Sequence, residues 1–207
     1  MTGTLHASSC IVAKLGGSLA GDTSLRRWLN ELSQPGSARI AVVPGGGPFA
    51  DAVRAAQDRW RFSDDAAHAM AIEAMDQFGR VLCAIEERAV PCSTLADIET
   101  AWANRRLPAW LPSRMMRDDR SLPHTWDVTS DTIAAWLAKA LSARNLLLVK
   151  SCQLPAGVVD PALLAAAGIV DRELPAFLSR TAVRLHVIHK DCWTELPRII
   201  TQLTDQG

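Results

Sequence analysis

Ile11-Val12-Ala13-Lys14-Leu15-Gly16-Gly17-Ser18 reads as a buried strand that runs straight into a glycine turn, with a lysine near its end. Ile40-Ala41-Val42-Val43-Pro44-Gly45-Gly46-Gly47-Pro48 repeats the arrangement further along the chain. Apolar runs without polar alternation suit strands buried on both faces, as in a parallel sheet. Glycines at the carboxyl end of such strands let the backbone approach an anion closely, and a helix that starts there aims its N–H groups at it. A lysine beside the first turn supplies the positive charge that phosphate chemistry needs. Each turn alone also fits a plain tight turn. The pair, with Lys14, points to a site for two phosphorylated or anionic groups.

Outward from these turns, apolar runs alternate with amphipathic stretches, the pattern of an α/β fold with a largely parallel sheet. Strands are expected at 10–15, 39–43, 90–93, 107–111, 146–149 and 183–188. Helices are expected at 24–32, 49–60, 64 to about 88, 95–103, 130 to about 143 and 193–203, the last interrupted near its start by Pro197. Ser63 should cap the long third helix, with Asp64 and Asp65 in its first turn, where negative charge suits the dipole. Ala67, Met70, Ala71, Ala74, Met75, Phe78 and Leu82 then recur at helical spacing, a stripe that reads as core. Thr129 or Ser130 should cap the helix that follows. Residues 112–124 hold prolines and charges without periodicity and read as a loop. No internal repeat or linker divides the chain, so residues 1–207 are expected to form one domain.

Composition narrows the function classes. A chain of 207 residues with 48% hydrophobic content can bury a substantial core. The formal charge is zero, so no net field attracts nucleic acid or an acidic membrane. The first residues lack the basic start and apolar core of a secretion signal, and no run reaches transmembrane length. Cys10, Cys83, Cys92, Cys152 and Cys192 are scattered without metal-ligand spacing and read as thiols of a reducing cytoplasm. His68, His124, His186 and His189 form no metal-ligand pattern, and no Ser-His-Asp arrangement is present. Only Lys14, Lys139, Lys150 and Lys190 are lysines among 22 basic residues, which makes a lysine at a glycine turn the more noteworthy.

Three segments in order carry a family resemblance. Lys14-Leu15-Gly16-Gly17-Ser18 resembles the K-x-G-G-S opening of the amino acid kinase family, Pro44-Gly45-Gly46-Gly47 its second glycine turn, and Ser130-Asp131-Thr132-Ile133-Ala134-Ala135 its later D-x-x-A-A helix start. The resemblance implies a three-layer αβα sandwich around a mainly parallel sheet, and transfer of the γ-phosphoryl of ATP, with Mg2+, to a carboxylate, carbamate or phosphate. By the same resemblance Lys14 would neutralise the transferring group, and Gly16, Gly17 and Ser18 would hold ATP phosphate oxygens. Gly45, Gly46 and Gly47 would line the acceptor side, and Asp131 would hold the lysines in position. Family members commonly form dimers or higher rings, so a homo-oligomer is expected.

Lys150 ends the strand at 146–149, where α/β folds place ligands. It reads either as a second phosphate-neutralising charge or as a surface lysine that snorkels. Much of the family continues this strand as T-D-x-x-G-V, whereas here Ser151-Cys152-Gln153-Leu154-Pro155-Ala156-Gly157-Val158 keeps the Gly-Val and loses the acid. Many members carry a second lysine after a Gly-Gly-Met turn; Ala167-Gly168-Ile169-Val170-Asp171 stands roughly there. The departure, in a chain short for the family, disfavours glutamate, aspartate and acetylglutamate kinases.

Residues 66–79 and Trp126-Asp127-Val128-Thr129-Ser130-Asp131 are similar to a compact branch of the family. That branch implies a small-molecule acceptor, an (aminomethyl)furan-methyl phosphate turned into its diphosphate in methanofuran biosynthesis. A cationic amine calls for a carboxylate; Glu73, Asp76 and Asp127 are candidates, unless Glu73 and Asp76 merely solvate the helix. Arg54 is a candidate for the acceptor phosphate or an exposed helix arginine, and Trp126 either stacks on a ring or anchors the helix start. A metal ligand cannot be assigned. Two other readings stand beside this one: a carboxylate kinase of the same family, and a non-catalytic nucleotide- or anion-binding protein that kept the fold.

Overall fold

The computed structural model describes residues 10–34, 38–117, 119–155 and 160–205. Six parallel strands form one sheet in the order β3-β4-β2-β1-β5-β6, where β1 is Cys10–Leu15, β2 Arg39–Pro44, β3 Ala89–Cys92, β4 Leu107–Trp110, β5 Asn145–Lys150 and β6 Arg184–His189. The helices that connect them are α1 Ser24–Leu32, α2 Gly47–Trp60, α3 Asp64–Ile85, α4 Leu95–Ala103, α5 Ser113–Met116, α6 Ser130–Ala140, α7 Pro161–Ala166, α8 Leu174–Leu178 and α9 Leu196–Asp205.

Alternation along the strands divides the core into two layers. Ile11, Ala13 and Leu15 point to one face, where Trp28 and Leu29 of α1 and Leu203 of α9 cover them. Val12, Val43, Leu146 and Leu148 point to the other, under Ile98 of α4, Ala134 and Leu137 of α6 and Phe177 of α8. The long α3 serves both clusters, giving Ile72 and Met75 to the second and Phe78 and Leu82 to the first. Its start is fixed as the sequence indicated, with the Ser63 side chain accepting the Ala66 N–H at 3.3 Å. It ends at Ile85, three residues short of the expected limit.

The expected order of strands and helices appears, and α5, α7 and α8 are additions. Each spans four to six residues, too short for periodicity to register. α5 occupies part of the stretch that reads as a loop. Gly157 and Val158 lie outside the described residues. Among the described residues no helix is long and apolar enough to cross a membrane, and all five cysteines are free thiols.

β1 leads on to its neighbour β2, whereas β5, on the other side of β1, leads on to β6. Connections therefore leave the adjacent strands β1 and β5 in opposite directions and open a crevice at the carboxyl edge of the sheet, the usual ligand position in such folds. The two glycine turns meet at this crevice, backbone against backbone. The Gly45 N–H donates to the Leu15 carbonyl at 2.8 Å. A Cβ on Gly45 would lie 2.2 Å from the Gly17 nitrogen, and one on Gly17 would lie 2.3 Å from the Gly47 nitrogen. Gly47 itself has φ +55, a left-handed conformation open to glycine at little cost. Gly45→Ala should therefore destabilise the protein by about 3 kcal/mol in urea melts, because rigid backbone has to move. Gly21→Ala, whose Cβ meets nothing within 4 Å, is the control and should leave the midpoint unchanged.

Candidate active site

Lys14 and Lys150 stand at the ends of neighbouring strands, pointing to the face that α6 covers. Asp131, in the first turn of α6, sits between them. Its Oδ1 lies 2.8 Å from Lys14 Nζ, and its Oδ2 accepts from Lys150 Nζ at 2.6 Å. The three side chains are 6%, 3% and 12% exposed for Lys14, Asp131 and Lys150. Lys150 is thus held inside, and the reading of a snorkelling surface lysine does not fit. Burial pushes the Asp131 carboxyl up, but the two ammoniums outweigh it and hold the group down at about 2. Burial, and then the like charge of Lys14, pull the Lys150 ammonium below its usual value despite Asp131.

The helix that carries Asp131 is capped from outside. Thr129 is its N-cap in extended conformation, without a side-chain cap of its own. Asp171 supplies one: its Oδ2 accepts the N–H groups of Thr129 and Thr132, each at 2.9 Å, and the Thr129 hydroxyl at 3.0 Å. Its Oδ1 accepts the Leu174 N–H at 3.0 Å, at the start of α8. The Asp171 N–H donates in turn to Asp131 Oδ2 at 3.3 Å. Burial and the neighbouring Asp131 raise the Asp171 carboxyl, against the pull of these hydrogen bonds. Sequence reading passed over this residue, since only the fold brings it to α6.

Two lobes open over the lysines. The first, a cavity of about 380 Å³, is lined by Gly16, Gly17, Ser18, Gly46, Gly47 and one stripe of α3. Gly45 lies behind them, against Gly17. The second, about 780 Å³, is bounded by Asp131, Asp127 and residues between 165 and 172. Lys14, Lys150, Trp126, Thr129 and Ile169 line both. The Ser151 hydroxyl donates to Ser18 Oγ at 2.8 Å, tying the end of β5 to the first glycine turn.

Arg54 reaches the first lobe, with its guanidinium 4.2 Å from the Trp126 ring centroid and 3.2 Å from Asp51. The Trp126 indole N–H donates to Gln57 Oε1 at 2.7 Å, so this ring both faces the lobes and anchors its segment to α2. Asp127 lines the second lobe and pairs with Arg172 at 3.4 Å. Asp76 lines neither lobe: its carboxylate accepts the Ser113 N–H at 3.0 Å and the Ser113 hydroxyl at 2.5 Å, and so fastens α5 to α3. Glu73 pairs with Arg117 at 3.2 Å on the surface. Met75 and Phe78 are core, as the stripe indicated, and Met75 also reaches the first lobe.

A six-stranded parallel sheet between helices, with charged strand ends at its central crevice, defines a three-layer α/β protein. Residues 9–153 match the model of the amino acid kinase family, and the chain belongs to that family. It is 25% identical over 188 residues to the (5-(aminomethyl)furan-3-yl)methyl phosphate kinase of Methanocaldococcus jannaschii, across 86% of this chain and 87% of that protein. Uridylate kinase from Archaeoglobus fulgidus shares the fold with a TM-score of 0.62 at 16% identity, over 86% of this chain and 90% of that one. An isopentenyl phosphate kinase does so with 0.53 at 14%, over 87% and 91%. Family membership and these relatives support a phosphotransferase.

Asp131→Asn would leave two buried ammoniums without their counter-charge and should cost about 3–5 kcal/mol in urea melts near neutral pH. Because the native Asp131 carboxyl lies below its ordinary 3.8, at about 2, its contribution is complete above pH 4 and is lost as pH falls through that window. Stability measured between pH 5 and pH 2 should therefore fall less steeply in the Asn variant than in the wild type.

Proposed function

We propose that this chain is an ATP-dependent kinase that adds a phosphoryl group to a small phosphomonoester. The acceptor is (5-(aminomethyl)furan-3-yl)methyl phosphate and the product its diphosphate, a step of methanofuran biosynthesis. The observation that carries the reading is the Lys14–Asp131–Lys150 triad, placed where the two lobes meet. A site for in-line transfer needs a donor on one side, an acceptor on the other and positive charge between them. Support for the acceptor comes from the relative in Methanocaldococcus jannaschii, named as a kinase of that phosphate.

In this reading the first lobe holds the acceptor and the second the nucleotide. Gly46 and Gly47 open α2, and Thr129 precedes α6, so two helix N-termini turn toward the first lobe, where backbone N–H groups favour an anion. The backbone of Gly16, Gly17 and Ser18, expected from the sequence to hold ATP phosphate oxygens, lines the first lobe and not the second. In this reading it would meet the transferring phosphoryl group where the lobes join, beside Lys14, whose Nζ would lie 3.5 Å from a Cβ on Gly16. An acceptor phosphate oxygen attacks the γ-phosphorus of ATP, the bond to the β-phosphate oxygen breaks, and ADP leaves. No proton has to be removed from the anionic nucleophile.

Lys14 and Lys150 hold charge on the transferring group. Asp131, ionised and doubly paired, orients them and is too acidic to act as a base. Among the described residues no cluster of three carboxylates, histidines or cysteines offers itself to a metal. Asp131 already carries two ammoniums, so the magnesium that accompanies ATP would be held mainly by phosphate oxygens and water.

Phosphorus NMR of the protein with Mg-ATP and the furan phosphate should show a diphosphate doublet growing as ADP forms. Lys14→Ala should slow that reaction by about a hundredfold or more, the usual loss of a charge-stabilising group. Unchanged turnover would remove Lys14 from the mechanism. Phosphorylation of carboxylates but not of the monoester would replace this reading with a carboxylate kinase.

A further inference from the structure

Lys14, Lys150 and the glycine turns account for the anionic end of the first lobe and leave its other end unexplained. That end is built by α3. Along it, His68, Ala71, Ile72 and Met75 line the cavity, and their spacing of i, i+3, i+4, i+7 is one helical stripe. Phe78, further along the same helix, sits beside Gly47, 3.4 Å from where a Cβ would stand. His68 is thus at the end of the stripe remote from the glycine turn, about 15 Å along the axis from Phe78 at 1.5 Å per residue. Between the two the floor is apolar.

His68 is 5% exposed. Among the described residues its ring makes no hydrogen bond, and its nitrogens are not among the polar side-chain atoms sealed in without a partner, as befits a ring that lines a cavity. Its ring is not loose. It stacks on His124 with centroids 4.4 Å apart and planes 16° from parallel. His124 is fixed by Asp65 at 2.6 Å and by the Asp119 carbonyl at 3.0 Å. Among the described residues this oriented polar ring in the wall of the cavity has nothing to bind.

We propose that His68 is the specificity residue of the acceptor lobe, a ring nitrogen accepting a hydrogen bond from a primary ammonium on the far end of the phosphomonoester. The proposal rests on the reading of this lobe as the acceptor site. Chemistry at the lobe favours an accepted hydrogen bond. Among the described residues the carboxylates of this region are engaged elsewhere: Asp51 with Arg54, Asp64 with Gln57, Asp65 with Arg120 and His124, Glu73 with Arg117, Asp76 with Ser113, Asp127 with Arg172. An ammonium that enters over Ala71 and Ile72 meets the imidazole as its free acceptor. Burial, with the charges of His124 and Arg120 added, lowers the His68 pKa to about 4 against the pull of Asp65, so its lone pair is kept at neutral pH. The acceptor this selects has a phosphate at one end, a flat apolar body and an amine at the other.

The test compares the furan phosphate with its desamino analogue, in wild type, His68→Phe and His68→Gln. A hydrogen bond to a charged group predicts that His68→Phe lowers the preference for the amine, as a ratio of kcat/KM values, by roughly tenfold to a hundredfold. The loss should appear in KM. His68→Gln, whose amide oxygen still accepts, should keep part of the preference. Independently of activity and of either variant's folding, titrating the amine-bearing phosphate without ATP into wild-type protein should shift the His68 ring resonances, and the desamino analogue should not. An unaltered ratio in the Phe variant, or equal ring shifts with both compounds, overturns the role of His68 while leaving the kinase reading intact. Failure to form a diphosphate from either monoester overturns the kinase reading, and this proposal with it.

Discussion

Asp131 has to be ionised, because two ammoniums lie 2.8 and 2.6 Å from it in a place largely closed to water. Two cations against one anion leave the triad with a surplus positive charge at the crevice. Burying such a group costs several kcal/mol per ion, and an apolar replacement of the same shape is often no less stable. An arrangement that expensive is poorly explained as a stabiliser of the fold. It is well explained as a standing demand for an anion, which the transferring phosphoryl group would meet in the proposed reaction. The depressed Lys150 ammonium is the same tension seen from one of its members.

The triad is useful only where the two glycine turns place it. Gly17, Gly45 and Gly47 approach so closely that any side chain at Gly17 or Gly45 would strike the opposing backbone. This contact brings the N-terminus of α2 to the end of β1, and with it a second source of partial positive charge. Backbone and side-chain cations therefore converge on the same volume from different elements. A rigid sheet supplies both lysines, and strands hold their ends more precisely than loops do.

Much of this was legible because the decisive residues are consecutive. β1 and its turn form one short phrase, and strands buried on both faces announce themselves as apolar runs. What remained hidden depends on contacts between distant segments. Lys150 reads equally as a surface lysine until α6 brings Asp131 to it. Asp76 looked available on α3 because sequence gives no sign of Ser113, which takes up its carboxylate. His68 was passed over as one of several histidines without metal spacing. The apolar stripe was read through Met70 and Ala71, whereas the helix packs on more than one side and buries His68 and Ile72 instead.

Asp171 does work that its place in the sequence did not announce. Gly168-Ile169-Val170-Asp171 stands roughly where the family resemblance leads one to expect a glycine turn and a second lysine, and in the proposed reading Lys150, paired with Asp131 at the end of β5, supplies that charge. The segment carries a carboxylate here instead of a cation. Its carboxylate satisfies N–H groups at the start of α6, which would otherwise be orphaned, and its own N–H touches Asp131. The same segment bounds the second lobe. One short stretch of chain therefore both lines that lobe and, through the Asp171 side chain, holds the start of the helix that carries Asp131.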